Sequence, residues 1–569
     1  MDLVGFTKTT TINPGEAQTG IHIQFSAYDL ASFDCYDSNN NGYSSYELDS
    51  GKYQIKIMTD SHNLKQMKGK YSSILNFEMP DTYVYKNDPK TKYEIKSRFT
   101  GNNCYANLPL DGTTVNKNIK YLTRSDFNNS FPKQVNDQIL DSIAISTSDY
   151  TYYNHLKNIY TEIPTNSINS NLYLVTDING NKLTLDELNS NSTQYKFNWD
   201  LIHEIASHKS SKALDDLVSQ MSLEEMKKIV ELSGFETKAI ESIGKPKFNE
   251  YDGPAGLNKV VFSSIPGKWT IFPNETVIGQ TFNTNLAYQL GLSIAKEGNE
   301  SGIRGWYAPG ANIHRTPFTG RNYEYYSEDS LIGYEMAAAQ VKGSESKGVA
   351  VGIKHFFSND QETMRGGIFT WSTEQAFREI YLRPFEGAFV KGGATATMTT
   401  NSRVGLQYVG QYKELTTNIL RNEWGFYGIV ITDAGGGYTS IPDFLVSGGN
   451  MFCFCGNAEE VKRELRRAIL NGDDGNLLQV LQENAKEILY TYAHTNLMNG
   501  LTSDFDVIEV TPWWQTAMIS VNVVFGVITL GLLVCFVLFT YVLKKKDIVE
   551  ISDQKMPHLQ LLLVRSHIL

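Results

Sequence analysis

The chain has 569 residues, of which 41% are hydrophobic, 12% aromatic and 20% charged; this excludes disordered, collagen-like and many-span membrane classes. A net charge of −11 argues against nucleic acid as a partner, because such proteins present a basic face to phosphates. The length allows three or four domains of roughly 100–200 residues, or one large barrel with smaller units.

Met1 to Gly15 is polar and has no apolar core of a signal peptide. The first 90 residues read as β-structure: Ile21, Ile23 and Phe25 alternate with polar residues, as do Tyr53, Ile55 and Ile57, the period of half-buried strands. Between them DSNNNG, Asp37 to Gly42, resembles the start of a calcium loop. Its twelfth position is Leu48 and the carboxylate of Glu47 is out of register, so a Gly/Asn turn is the expectation. Only three or four strands precede Asp88, whereas a fibronectin-type sandwich needs about seven. A partial sandwich leaves an apolar face in water, so the chain is expected to begin inside a domain. Residues 91–200 are rich in Asn, Ser, Thr and Tyr without sustained periodicity and read as a connecting arm.

From 201 to 499 apolar runs (Gly305 to Ala308, Val349 to Phe356, Ala394 to Thr400, Gly428 to Thr432) alternate with helical stretches (Leu286 to Glu297, Ser327 to Lys347, Thr373 to Val390, Glu414 to Asn422). Continuous apolar strands separated by amphipathic helices predict a parallel sheet, and about 300 residues of this pattern suit a (β/α)8 TIM-like barrel. A doubly wound sheet is the structural alternative, but no Gly-rich fingerprint follows a first strand. Thr516 to Leu543 holds no ionisable acid or base of the Asp, Glu, Lys, Arg or His type, exceeds the roughly 20 residues that cross a bilayer, and is flanked by Trp513, Trp514 and Lys544 to Lys546. It reads as a single-pass membrane anchor over 513–546, with a greasy internal helix as the alternative. The lysines put the C-terminus in the cytoplasm, the rest of the chain outside the cell membrane, and a cytoplasmic tail at 547–569. The five cysteines, Cys35, Cys104, Cys453, Cys455 and Cys535, show no disulfide or zinc spacing.

A barrel places its chemistry at the C-terminal ends of its strands. There the polar residues form a set: Asp252 in DGPAG; Asn312, His314 and Arg321 after the run at 305; Lys354 and His355 ending the run at 349; Asp433 ending the run at 428. YDGPAG (251–256), GRNYEYYSED (320–329), KHFFSNDQETMR (354–365), STEQAFREIYLRPFE (372–386) and LRNEWGFYGIVITD (420–433) resemble the signatures of glycoside hydrolase family 3. LVGFTKTTTINPGEAQTGIHIQF near the start resembles that family's fibronectin-like domain, here placed before the barrel, as in the branch with reversed domain order.

The resemblance implies an α/β protein: a (β/α)8 TIM-like barrel preceded by a partial fibronectin type III-like β-sandwich (1–90) and followed by one transmembrane helix, with an (α/β)6 domain missing upstream of Met1. It implies a retaining β-glycosidase of β-glucosidase type, acting on a terminal β-linked sugar such as D-glucose and needing no metal or organic cofactor. Asp433 is then the nucleophile, because a carboxylate attacks the anomeric carbon to form a cleavable glycosyl ester. Asp252, Arg321, Lys354, His355 and Arg365 hold the carbohydrate substrate through charge-assisted hydrogen bonds. Two departures stand out: Ala434 follows the nucleophile where many relatives have Trp, and Asn401 stands at a position of Tyr. The family's general acid is a Glu of the (α/β)6 domain; Glu362 and Glu374 are carboxylates within reach in sequence, read as structural. KHFFSNDQ lacks the second His of the hexosaminidase branch. The alternative function is a catalytically silent, membrane-anchored glycan-binding protein.

Overall fold

The computed structural model describes residues 2–99, 199–453, 474–496 and 512–543, apart from 68, 70, 208, 231–234, 259–268, 364, 366–368, 371, 405–406 and 435–440. Nearly all of the arm expected at 91–200, the lysines 544–546 and the tail at 547–569 lie outside the described residues. The chain divides into two compact units, Met1–Ser503 and Asp504–Leu569.

The first unit opens with β1 (Ser32–Phe33), β2 (Tyr46–Leu48), β3 (Gly51–Lys56), β4 (Ile74–Met79) and β5 (Tyr83–Tyr85). β1, β2 and β5 form one antiparallel sheet, and β3 and β4 pair as a hairpin with Gly51 opposite Met79 and Lys56 opposite Ile74. In β3 alternate residues are half-buried and exposed, as the period-2 pattern of Tyr53 and Ile55 predicts. The alternation at Ile21 to Phe25 does not become a strand: Ile21 and Ile23 remain exposed and no ladder forms along them, because period 2 yields a strand only where a partner supplies the backbone bonds. The DSNNNG segment is a turn. Asp37 and Asn40 take positive φ, Asp37 accepts the Gly42 N–H, and the buried Glu47 carboxylate accepts the Asn39 and Asn41 amides at 2.5 and 2.8 Å.

After α1 (Trp199–Ser207), α2 (Lys212–Val218) and α3 (Leu223–Val230) comes the sheet that carries the polar set, formed by β6 (Glu236–Thr237), β7 (Phe248–Asp252), β8 (Ile303–Tyr307), β9 (Ala350–Phe356), β11 (Ala396–Thr399) and β14 (Ile429–Ile431). Its order is β14-β11-β9-β8-β7-β6; β7, β8, β9, β11 and β14 are parallel, while β6 is antiparallel to β7. A parallel bridge from Ile431 to Met451 extends the pattern. The curled, mostly parallel sheet fits the expected α/β class; six of its strands lie among the described residues. Every residue of β9 is buried, which is why a strand covered on both faces reads as an uninterrupted apolar run. A small second sheet joins β10 (Phe369–Thr370), β12 (Arg403–Val404) and β13 (Gln407–Tyr408).

The crossovers are helical: α4 (Glu275–Gly279) and α5 (Thr284–Glu300) before β8, α6 (Ser330–Glu345) before β9, a helical stretch at 374–391 before β11, and a π-helical segment, Glu414–Glu423, before β14. Asn283 and Asp329 cap α5 and α6 by accepting first-turn N–H groups. α5 and α6 pack through glycine: a Cβ on Gly291 would lie 2.0 Å from the Gln340 carbonyl, and one on Gly343 2.1 Å from that of Tyr288. Gly291→Ala is therefore expected to push the helices apart and destabilise the fold by about 1–3 kcal/mol, read as a lower urea midpoint. A midpoint equal to wild type would show that the pair has slack.

After α7 (Ile441–Val446), helix α8 (Asp474–Ala493) returns to the sheet. Thr491 donates its hydroxyl to the Thr395 carbonyl at 2.8 Å and accepts the Ile429 N–H at 3.1 Å, and the Tyr492 hydroxyl donates to Glu250 at 3.2 Å.

The second unit contains α9 (Trp513–Val537), continued as helix to Tyr541, exposed and apolar along its length. Twenty-five residues at about 1.5 Å each give about 37 Å, more than the roughly 30 Å of a hydrocarbon core. Among the described residues it is the one helix long and apolar enough to cross a membrane.

Candidate active site

Parallel strands deliver their C-terminal ends to one edge of the sheet, and the structure brings all six sequence-predicted residues to that edge. Asp252 ends β7; Arg321 sits in the loop after β8; Lys354 and His355 belong to the last turns of the β9 backbone; Arg365 follows β9; Asp433 comes two residues after β14.

They are joined by a string of alternating charge. Asp433 Oδ2 lies 3.4 Å from Arg365 Nη1, which lies 3.6 Å from Glu362 Oε2. Glu362 Oε1 is 3.9 Å from Arg321, which forms a two-point ion pair with Glu324. Glu324 is 3.8 Å from the Lys354 ammonium, which donates to Asp252 Oδ1 at 2.6 Å. Four carboxylates and three cations alternate, so every charge buried at this edge has an opposite neighbour, the condition under which buried charges persist.

Glu324 and Glu362 are the members that reading the sequence for sugar contacts does not identify. Arg321 and Glu324, like Glu362 and Arg365, are three residues apart, a spacing that brings side chains together in a helical turn; that was the available signal. Glu374, also weighed as a carboxylate of interest, is elsewhere: it is buried against Arg378 and the Arg98 backbone, in agreement with a structural role. Asn312 fixes His355 by accepting its N–H at 2.9 Å and donating to its carbonyl at 3.0 Å. His314 supports the Arg321 loop, its Nε2 lying 2.9 Å from the carbonyls of Asn322 and Tyr325.

The electrostatics follow from burial and pairing. Burial pushes the Asp433 carboxyl above the ordinary range, opposed by Arg365, Arg321, the Ala434 N–H and Lys354. Burial acts the same way on Asp252, but Lys354 outweighs it and the carboxyl falls below its ordinary value. Burial alone would lower Lys354; Asp252 and Glu324 together raise it, so it stays charged. His355 is driven far down by burial and by Arg321, Lys354 and Arg365 around it, so its ring is neutral and its Nδ1 lies 3.3 Å from the Tyr325 hydroxyl.

Asp433 has one oxygen fixed and one open. Oδ1 accepts the Ala434 N–H at 2.7 Å, while buried Oδ2 accepts no hydrogen bond among the described residues. Asn401 donates to the Ala434 carbonyl at 3.0 Å, so the residue at the departure noted in the sequence steadies the backbone behind the carboxylate.

The profile of the glycosyl hydrolase family 3 N-terminal domain matches residues 200–444. Beta-glucosidase A of Butyrivibrio fibrisolvens is 31% identical over 268 residues, 46% of this chain and 32% of that protein. The Beta-glucosidase of Rhizobium radiobacter is 36% identical over 230 residues, 40% of this chain and 28% of that one. The chain thus spans about a third of the length of these curated relatives. A solved structure of a beta-glucosidase from Paenibacillus barengoltzii matches 90% of this chain and 51% of its own, with a TM-score of 0.61 and 22% identity, a likeness of fold that reaches beyond residues 200–444. Over that matched region, which holds all six sequence-predicted site residues, the chain is similar to the N-terminal domain of glycosyl hydrolase family 3.

Proposed function

We propose that this chain binds the terminal β-linked sugar, D-glucose being the expected one, of a glycoside and attacks it with Asp433 in a retaining hydrolysis. The observation that carries this is the Asp433 carboxylate: buried, facing a guanidinium, with one oxygen anchored by a backbone N–H and the other accepting no hydrogen bond among the described residues. A nucleophile needs a lone pair not already committed, and a low-dielectric setting strengthens its interaction with the cationic charge that develops at the anomeric carbon. Asp252, Arg321, Lys354 and His355 hold the sugar hydroxyls, and Arg365 favours the ionised form of Asp433 against the effect of burial.

Lys354 holds the Asp252 carboxyl below its ordinary range, which suits it as an acceptor and not as a proton donor. The chain's own chemistry is therefore read most directly on a substrate whose leaving group departs without a proton. In the same reading residues 1–90 are the fibronectin-like part, 201–499 the catalytic barrel, and α9 anchors the protein in the cell membrane with the catalytic part outside and the C-terminus in the cytoplasm.

The test is turnover of dinitrophenyl β-D-glucoside followed by proton NMR. First release of the β-anomer of glucose supports the reading. First release of the α-anomer overturns the retaining mechanism, and saturable glucose binding without turnover replaces the enzyme with a glycan-binding protein.

A further inference from the structure

Among the described residues Glu362 is the one carboxylate of the charged edge paired with two guanidinium groups, and it shares a turn with one of them: the Arg365 N–H donates to the Glu362 carbonyl at 3.2 Å. Its carboxylate is itself located by Asn359, whose amide donates to Oε1 at 2.8 Å and to the Tyr325 hydroxyl at 2.9 Å. Arg365, by contrast, is about a quarter exposed, and its guanidinium is held by Glu362 on one side and Asp433 on the other. A long, partly hydrated side chain with a single anchor spreads over its rotamers and exchanges its partner for water. With two anchors it stays.

We propose that Glu362 is a positioning residue that sets the charge state of Asp433 by holding Arg365 against it. The proposal rests on the reading of Asp433 as nucleophile and adds to it the group that keeps the nucleophile ionised. The groups that act on Asp433 are Arg365, Arg321 and Lys354 as cations and the Ala434 N–H as donor; Glu324, Glu362 and Asp252 are the anions paired with those cations, and the neutral ring of His355 feels the same three cations.

Two effects of removing the Glu362 charge oppose each other, and distance decides between them. Glu362 and Asp433 both touch Arg365 Nη1, at 3.6 and 3.4 Å, so their oxygens are at most about 7 Å apart. Loss of a like charge at that distance would lower the Asp433 pKa. Loss of the guanidinium at 3.4 Å would raise it, and because the interaction falls as the inverse of distance this is the larger effect, by up to about twofold, wherever the two carboxylates are further apart than that. The sign of the shift therefore separates positioning from direct repulsion, and a purely structural role gives no shift.

The experiment uses the full chain and a glucosyl fluoride that carries a second fluorine beside the anomeric carbon. Asp433 forms its ester bond to the anomeric carbon as the carbon–fluorine bond breaks and fluoride leaves, with no proton required. The labelling rate is followed against pH by mass spectrometry. In Glu362→Gln the acid limb is expected to move up by about one pH unit, with the rate on the alkaline plateau and the melting temperature close to wild type. Glu362→Asp, which keeps the charge, should return most of the shift. Arg365→Met should move the limb in the same direction, and adding Glu362→Gln to it should move the limb no further. A wild-type chain that is not labelled at Asp433 overturns the nucleophile reading and this proposal with it. A labelled wild type whose Glu362→Gln limb stays in place or moves down overturns the proposal alone.

Discussion

Asp433→Asn is expected to lower kcat on an activated aryl β-glucoside by about 10⁴-fold or more while changing KM little. The substitution is isosteric, and an Asn oxygen can still accept the Ala434 N–H that now holds Oδ1 at 2.7 Å. What is lost is the anionic lone pair of Oδ2. An amide neither forms the glycosyl ester nor opposes positive charge at the anomeric carbon. Asp252, Lys354 and Arg321 are untouched, so sugar binding should persist. A second variant gives a product signature: Asp433→Gly opens space for azide, which should attack from the vacated face and yield α-glucosyl azide. A loss of kcat below about tenfold in Asp433→Asn, or β-glucosyl azide from the glycine variant, would assign the nucleophile to another residue.

The largest effect on stability is expected away from the site, at Arg378. Its guanidinium donates to Glu374 at 2.8 Å and to Glu423 at 2.7 and 3.2 Å, and lies over the Phe33 ring at 4.5 Å. The same two carboxylates accept from the N-terminal segment: Glu423 takes Arg98 Nε at 3.1 Å, and Glu374 takes the Arg98 and Phe99 N–H groups at 2.9 to 3.1 Å. Two guanidiniums and two carboxylates thus balance in a fully buried cluster. Arg378→Met leaves an uncompensated negative charge in the interior and should cost about 3–5 kcal/mol, measured as a fall in urea midpoint. The exposed pair Lys212–Asp216 provides the comparison, because Asp216→Asn should change stability by under about 1 kcal/mol. Equal effects of the two substitutions would show that the buried cluster contributes no more than a surface pair.

Several parts of this molecule are legible in its sequence for identifiable reasons. β9 and β14 are covered on both faces and therefore appear as runs of Val, Ile and Phe, and the polar residue that ends each run is Lys354, His355 or Asp433. The same logic fails where a property depends on a distant partner. Ile21 to Phe25 alternates like β3 yet pairs with no strand among the described residues. Glu324 and Glu362 read as ordinary loop acids until the fold puts Arg321 and Arg365 beside them. The antiparallel edge is equally non-local: counting apolar runs predicts the curled parallel sheet, but not that β6 joins its edge antiparallel to β7. Arg98, Glu374, Arg378 and Glu423 come from three separate segments, and nothing local in any of them announces a common cluster.

Helix α8 has a practical meaning for anyone preparing a fragment. The family profile stops at residue 444, but the hydroxyl of Thr491 joins Thr395, just before β11, to Ile429 of β14, and the phenol of Tyr492 satisfies Glu250 inside β7. An expression boundary drawn where recognition ends would strip the neighbouring strands of two side-chain contacts made from beyond it. Soluble, folded material should require a C-terminal limit past residue 496, so the end of the profile match and the end of the cooperative folding unit are different lines.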